Sequence, residues 1–180
     1  TSELYNIINK TIEYEKAQQQ TDLDWFEQAG LVGDPTTQSG YSPVNTTQYI
    51  KQVMGNNGLG DVNIDIDGIS IESFMEYEFN RGILYYNYRG YYYGAGSFPT
   101  SFSNGYYTPF VTTITCGTGD FNGTSSSEQF VRLGSEFSPK GAVAAVGTAT
   151  TGTHTAYNNI VNMGIYEGLF SNSLTHAGAA

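Results

Sequence analysis

The chain has 180 residues, and its 17 acidic and 7 basic side chains give a formal net charge of −10 at pH 7. A negative field of this size repels phosphate backbones and anionic lipid surfaces, which argues against nucleic acid and anionic membranes as partners. No stretch approaches the roughly 18–20 apolar residues of a membrane span. The length suits one domain with its own core, so we expect residues 1–180 to form a single domain.

The chain is poor in Lys and rich in Tyr, Gly, Ser, Thr and Asn, a composition typical of secreted or cell-surface proteins. Its single cysteine, Cys116, cannot form an internal disulfide. Such a thiol is either an inert buried group or a nucleophile. The chain begins at Thr1 directly in a predicted helix and without a signal peptide. We therefore interpret it as a piece of a longer, processed precursor.

Apolar residues at helical or alternating spacing predict the elements of the first half of the chain. Ser42-Pro43 marks a helix start, and Gly55 marks the end of that helix. The predicted elements are a helix over 2–18, a buried strand over 29–34, a loop over 35–42, a helix over 42–55, a half-exposed strand over 62–66, a helix over 72–81 and a strand over 83–88.

The second half begins with a long Tyr-rich loop over residues 90–108, in which Tyr91, Tyr92 and Tyr93 either stack on a ligand or line a cleft. The elements predicted after it are a strand over 110–116, a helix over 125–133, a fully buried strand over 141–146 and a helix over 155–170. Helices and strands that alternate in this way predict an α/β fold with a mainly parallel sheet and helices on both faces.

Three polar residues come directly at the ends of predicted strands, namely Asp34, Arg89 and Cys116. In sheets of parallel strands, functional groups collect at the carboxyl ends of the strands. We therefore expect these three side chains to converge at one edge of the sheet.

The segment Ile114-Thr-Cys116-Gly-Thr-Gly-Asp-Phe121, followed by a helix and a Gly-Ala-Val-Ala-Ala-Val-Gly strand, resembles the gingipains, which are caspase-like and mostly secreted cysteine peptidases. The segments 3–16, 31–34 and 175–178 also resemble that family. The resemblance implies a caspase-like three-layer sandwich and a cysteine-type endopeptidase. It further implies a peptide or protein substrate and contact with the remainder of the precursor.

The resemblance also implies roles for individual residues. Cys116 matches the nucleophile, and Asp34 matches the acid that orients the catalytic histidine. Arg89 stands where the family has that histidine, in Asn87-Tyr88-Arg89-Gly90. The backbone N–H groups of Cys116 and Gly90 are the implied oxyanion-hole donors.

An arginine at the histidine position changes the chemistry that is expected. The positive charge of Arg89 lowers the pKa of a neighbouring thiol. It cannot take up and return a proton near neutral pH. Loss of general acid–base catalysis typically slows a reaction about 10²–10⁴-fold. The sequence therefore predicts a reactive thiol and slow turnover.

His154 is the one candidate for a substitute base, and it follows the strand over 141–146. By resemblance, His154, Tyr157 and Asn87 line the substrate pocket. Tyr157 stands where lysine-cleaving members carry an acid, so a preference for basic residues is not expected. The other histidine, His176, is expected to be a surface or packing residue.

Each site residue also has a plain structural interpretation. Cys116 would then be a small buried apolar side chain, Asp34 a turn residue before Pro35, and Arg89 a structural partner of Asp34. The segment Asn63-Ile-Asp-Ile-Asp-Gly68 imitates half of a calcium loop. Its twelfth position is Phe74, and the alternation explains its acids as the solvent face of a strand. We expect no cofactor, and only the resemblance suggests calcium.

Three functions remain open from the sequence. The first is an endopeptidase that uses Cys116, with Arg89 or His154 in a modified role. The second is a pseudopeptidase, a catalytically inactive peptide-binding or structural module of a surface protein. The third is a carbohydrate-binding surface domain, which rests only on exposed Tyr and acidic charge and is weakened by the α/β pattern.

Overall fold

A computed structural model describes residues 2–35, 40–90 and 101–180. Its centre is a five-stranded parallel sheet in the order β2-β1-β3-β4-β7. The strands are β1 (Gln28–Gly33), β2 (Asp61–Asp65), β3 (Tyr85–Arg89), β4 (Phe110–Thr113) and β7 (Ala144–Gly147), and β5 (Gly134–Ser135) and β6 (Ser138–Pro139) form a separate antiparallel hairpin. The helices are α1 (Ser2–Lys16), α2 (Ser42–Asn56), α3 (Ile71–Arg81), α4 (Ser126–Arg132) and α5 (Thr155–Tyr166).

Two apolar cores lie on opposite faces of the sheet. On one face, Ile50 and Met54 of α2 and Tyr166 of α5 pack on Leu31. On the other face, residues of α3 and α4 pack on Val32, the next residue along β1. Because successive side chains of a strand point to opposite faces, β1 contributes to both cores. The predicted α/β fold with helices on both faces is confirmed.

The strand over 141–146 was predicted to be fully buried, and this prediction is wrong. The observed strand, β7, begins at Ala144 and pairs only with β4 among the described residues. It is the edge strand of the sheet, and its side chains are exposed or half-buried. An apolar run does not show how many neighbours its strand has.

The polar residues Asn6, Lys10 and Glu13 of α1 face the rest of the protein and are buried. Lys10 is buried and donates hydrogen bonds to the backbone oxygens of Val131 (2.6 Å), Lys140 (3.0 Å) and Leu133 (3.2 Å). Asn6 Nδ2 donates to the Leu133 oxygen at 2.9 Å. Burial lowers the pKa of Lys10 to about 8. The Val131 and Leu133 carbonyls lie at the end of α4, where a helix lacks its own donors and attracts cations, and the Lys140 carbonyl follows β6.

The apolar stripe of α1 faces outward. Leu4 is 55% exposed, and Tyr5, Ile8 and Ile12 are exposed as well. The helix predicted over residues 2–18 is therefore present as α1, with these apolar residues at the surface. None of the described helices is both long and apolar enough to span a membrane.

Candidate active site

The fold brings the ends of three neighbouring strands to one edge of the sheet. Asp34 follows β1, and Arg89 is the last residue of β3, where it lies opposite Gly33 of β1. Cys116 lies three residues beyond the end of β4, not at the strand end as predicted. Because β3 lies between β1 and β4, Arg89 stands between Asp34 and Cys116.

Arg89 is 1% exposed, and the hydrogen-bond acceptors found for its guanidinium among the described residues are all neutral. Nε donates to Asn159 Oδ1 at 2.6 Å, Nη2 donates to the Thr155 oxygen at 3.2 Å, and Nη1 donates to the Gly90 oxygen. Burial lowers the pKa of Arg89 to about 10, against the opposing influence of Tyr88 and Cys116. Arg89 is therefore a buried cation at neutral pH, and the ionised thiol of Cys116 would stabilise it.

The Cys116 thiol is half-buried, and its closest partner in the described structure is a hydroxyl group. Thr153 Oγ1 lies 3.1 Å from Sγ, and the Thr153 backbone oxygen lies 3.7 Å from Sγ. Burial raises the pKa of the thiol. The hydrogen bonds of the Thr153 hydroxyl and of the backbone at Thr153, Gly152 and Cys116 together outweigh burial, so the net pKa lies below its ordinary value.

A second hydrogen bond holds the Thr153 hydroxyl in place. Asn158 Nδ2 donates to Thr153 Oγ1 at 2.8 Å, and Asn158 is buried on the first turn of α5. The oxygen of the hydroxyl accepts this bond and keeps its own proton, which it can donate to the sulfur once Cys116 is a thiolate, since a thiolate only accepts. The sequence analysis missed this pair, because Thr and Asn near a helix start carry no signal beyond that of a loop or a cap.

The turn that carries Cys116 is braced by threonines and close backbone contacts. Thr118 Oγ1 donates to the Thr115 oxygen at 2.9 Å and accepts from the Thr148 backbone N–H at 3.2 Å. Gly119 N donates to the Thr148 oxygen at 2.9 Å. A side chain at Gly147 would place its Cβ 2.4 Å from Ser127 Oγ. The chain after β4 and the chain after β7 are thus held tightly together behind the thiol.

Asp34 is buried and accepts a hydrogen bond from Tyr88 Oη at 3.0 Å. The salt bridges found among the described residues involve Arg81 and Arg132, so the alternative that pairs Arg89 with Asp34 is not supported. Gly90 lies against the same two groups, because a Cβ there would stand 2.5 Å from Tyr88 Oη and 2.9 Å from Asp34 Cβ. Only glycine fits at position 90 without displacing the Tyr88–Asp34 pair.

His154 is the N-cap of α5, and its Nδ1 accepts from the Ala156 backbone N–H at 3.1 Å. Its ring is exposed and lies edge-on to that of Tyr157, with centroids 5.8 Å apart. Tyr157 is 70% exposed. His176 is exposed too, and it is hydrogen-bonded to Thr175 at 3.0 Å. Neither histidine is a hydrogen-bond partner of Cys116 in the described part of the chain.

Asn87 was expected to line the substrate pocket, but its side chain is fully buried. Its Oδ1 accepts from Thr112 Oγ1 at 2.9 Å, and that hydroxyl also contacts Tyr166 Oη at 2.7 Å. Asn87 therefore belongs to the packing between β3, β4 and α5: it lies on the same face of β3 as Arg89, but two residues before the strand end and beneath α5. Tyr91, Tyr92 and Tyr93 lie outside the described residues.

The residues that imitate a calcium loop form a turn. Asp65 Oδ1 accepts from the backbone N–H groups of Asp67 (3.2 Å) and Gly68 (3.4 Å), so it closes a turn. Within the ranges that the structure describes, no three His, Cys, Asp or Glu side chains converge as metal ligands.

The whole chain matches one protein family, and its fold matches solved structures. The family model of peptidase family C25 covers residues 1–180. No curated protein is significantly similar in sequence. The Arg specific cysteine proteinase gingipain R is 21% identical with a TM-score of 0.77, and the match covers 94% of this chain and 42% of that chain.

Two further structures agree with this match. The complex of the Porphyromonas gingivalis RgpB pro- and mature domains is 21% identical, with a TM-score of 0.75 and coverage of 91% and 42% of the two chains. A structure described as a protease is 22% identical, with a TM-score of 0.74 and coverage of 89% and 37%. The chain thus spans less than half the length of each matched chain. The predicted caspase-like α/β sandwich and the resemblance are confirmed, and the chain belongs to peptidase family C25, the gingipain family of cysteine peptidases.

Proposed function

We propose that this chain is a cysteine-type endopeptidase domain in which the thiolate of Cys116 attacks the carbonyl carbon of a peptide bond. One observation carries the proposal: the thiol lies 3.1 Å from the hydroxyl of Thr153, and the strand next to β4 ends in the buried Arg89, whose described hydrogen-bond acceptors are neutral. A thiolate is the nucleophilic form of cysteine, and a nearby positive charge and hydrogen bonds to sulfur both favour it.

Arg89 acts as an electrostatic partner in this proposal. It holds the thiolate through its charge, and its guanidinium is fixed by Asn159 and Thr155. The backbone N–H groups of Cys116 and Gly90 are the proposed donors to the oxyanion, a role in which each donor contributes about 2.7–4 kcal/mol. Asp34 has no histidine to orient in this site. Its proposed role is structural, since its hydrogen bond from Tyr88 holds the end of β1 in place.

A second function, the pseudopeptidase, is favoured by one specific observation. Both histidines of the chain are exposed and engaged elsewhere, His154 as a helix cap and His176 with Thr175. Arg89, with a pKa of about 10, does not exchange a proton readily at neutral pH. The expected loss of about 10²–10⁴-fold in amide hydrolysis leaves peptide binding as the alternative role of the cleft.

The test combines thiol reactivity with peptide cleavage. The rate of Cys116 alkylation is measured against pH, and cleavage of a mixed peptide library is followed by mass spectrometry, with Cys116→Ala as the control. Alkylation that levels off well below the ordinary thiol pKa of about 8.5, with cleavage that Cys116→Ala abolishes, supports the peptidase. A low thiol pKa without cleavage supports the pseudopeptidase. A thiol of ordinary pKa contradicts the proposed role of Arg89.

We propose that the remainder of a precursor chain is the partner of α1. The protein is proposed to be secreted or at the cell surface. Residues 1–180 are proposed to form one domain without a cofactor. The outward apolar residues of α1 support this partner. Leu4 and Ile7 continue into a cleft of about 760 Å³ against α4, which Val131 and Phe121 also line. Gingipain R, of whose chain only 42% is matched, shows that proteins of this fold include much additional chain.

A further inference from the structure

We propose that the site transfers acyl groups from thioesters, and that it does so far better than it cleaves amides. This inference rests on the proposed Cys116 thiolate and adds the class of substrate that suits it. A thioester is suited because its leaving group departs as a thiolate, which needs no proton. An amide is not suited, because an amine leaving group must be protonated as the carbon–nitrogen bond breaks.

The groups that surround the sulfur stabilise an anion but do not exchange a proton near pH 7. Thr153 supplies a hydroxyl whose oxygen already accepts from Asn158. Arg89 supplies a positive charge with a pKa of about 10. These are the properties required to hold a thiolate before attack and to hold the same anionic charge as it moves to the carbonyl oxygen and then to the leaving sulfur.

Two carboxylates, Asp120 just after Cys116 in the chain and Asp34 at the end of β1, accept hydrogen bonds of their own. Asp120 Oδ1 accepts from the backbone N–H of Asn122 at 2.9 Å and closes the turn that follows Cys116. Asp34 lies beyond β3 from the thiol, at the end of β1. Two strand spacings of about 4.8 Å each put those strand ends roughly 10 Å apart. Among the described residues, the hydrogen-bond partner of the Cys116 sulfur is Thr153 and not a carboxylate.

The sequences of the two internal segments outside the described ranges are poor in proton carriers. Residues 36–39 read Thr-Thr-Gln-Ser, and residues 91–100 read Tyr-Tyr-Tyr-Gly-Ala-Gly-Ser-Phe-Pro-Thr. Neither segment contains a histidine or a carboxylate. Their ionisable side chains are tyrosines, whose ordinary pKa of about 10 is as unsuited to proton exchange at neutral pH as that of Arg89.

The proposed step is balanced without a proton. The Cys116 thiolate attacks the thioester carbonyl carbon, and the carbonyl π electrons move to oxygen, where the backbone N–H groups of Cys116 and Gly90 receive them. The intermediate collapses, the bond from carbon to the original sulfur breaks, and the leaving group departs as a thiolate. The acyl group then passes from Cys116 to a second thiolate by the reverse of the same step, which regenerates the Cys116 thiolate.

The experiment compares two substrates that share one acyl group. A library of acetylated peptides, with every amino acid at the last position, is prepared as α-thioesters of mercaptopropionate and as the matching α-amides. Each is incubated at pH 7.5 with the protein and with mercaptoethanesulfonate as acceptor thiol. Exchange and hydrolysis are followed by mass spectrometry, with Cys116→Ala and buffer alone as controls, and the pH dependence of Cys116 alkylation is measured on the same sample.

We expect acceleration of thioester exchange over buffer that depends on Cys116 and exceeds the acceleration of amide cleavage by about 10²–10⁴-fold, the contribution of a general acid–base. Equal acceleration of the two substrates would overturn the inference, because some group would then protonate the amine. No exchange on a protein whose thiol alkylates at low pH would overturn it too, while leaving the proposed thiolate intact. A thiol of ordinary pKa with no exchange would overturn both.

Discussion

The hydroxyl of Thr153 can be removed with little change in shape. In Thr153→Val a methyl group replaces the hydroxyl that lies 3.1 Å from Cys116 Sγ, and the hydrogen bond from Asn158 at 2.8 Å is lost with it. The charge of Arg89 is left in place. If the hydroxyl stabilises the thiolate, the variant has a higher thiol pKa and a smaller thiolate fraction at every pH below it.

The size of the effect follows from the kind of hydrogen bond that is lost. A hydrogen bond to a charged group contributes about 1.5–3 kcal/mol, and the lower end applies because Cys116 is only half-buried. About 1.4 kcal/mol corresponds to a factor of ten in the ionisation equilibrium. We therefore expect Thr153→Val to alkylate about 10-fold more slowly at pH 6.

The assay is the rate of reaction with iodoacetamide between pH 5 and 10. Because the folded thiol has a lowered pKa, its rate levels off at a lower pH than that of an ordinary thiol. Above both pKa values the wild type and the variant are fully ionised, so their rates should converge near pH 10. Thr11→Val, which removes an exposed hydroxyl of α1 that donates to the Ile7 oxygen at 3.0 Å, is the matched control. A Thr153→Val protein that folds normally and alkylates at the wild-type rate at pH 6 would refute the assigned role of the hydroxyl.

Three further predictions concern the base, the attachment of α1 and the packing behind the thiol. Arg89→His should raise the rate of amide cleavage on the peptide library by up to about 10²-fold, because an imidazole can take up and return a proton at neutral pH. No gain in a folded variant would show that the missing histidine is not what limits turnover. Lys10→Met should lower the free energy of unfolding in urea by about 1–3 kcal/mol, since it removes the Lys10 hydrogen bond to the Val131 carbonyl at the end of α4. An unchanged urea midpoint of unfolding would contradict the contacts of Lys10. Gly147→Ala should lower the free energy of unfolding in urea by about 1–3 kcal/mol, because the added Cβ would lie 2.7 Å from Gly119 N. Gly55→Ala, with free space around it in α2, should raise the free energy of unfolding by about 0.5–1 kcal/mol. Equal effects of the two variants would argue against the close contact at Gly147.

Much of the fold follows from local patterns that the sequence carries directly. The apolar runs before Asp34 and Arg89 and around Val111 form the three central strands, since a strand buried on both faces reads as a continuous apolar run. The convergence of Asp34, Arg89 and Cys116 follows as well, because parallel strands place their carboxyl ends at one edge.

Other features depend on contacts between distant parts of the chain, which local patterns do not contain. In α1 the residues Asn6 and Lys10 recur at helical spacing just as Leu4 and Ile8 do, and only the carbonyls at the end of α4 decide which stripe faces inward. The same limit explains the missed Thr153–Asn158 pair and the buried Asn87. Their roles are set by the position of α5 over the sheet.

The way in which α1 is attached has a consequence for handling the protein. Lys10 and Asn6 attach α1 by hydrogen bonds, Glu3 adds a salt bridge to Arg132, and Tyr14 packs on Trp25. The apolar side chains of Leu4, Tyr5, Ile8 and Ile12 remain exposed. Where the proposed precursor segment does not cover α1, these side chains are available for contact with other molecules. We expect the isolated chain to be limited in solution by self-association, with detergent or arginine in the buffer improving its recovery more than cooling does.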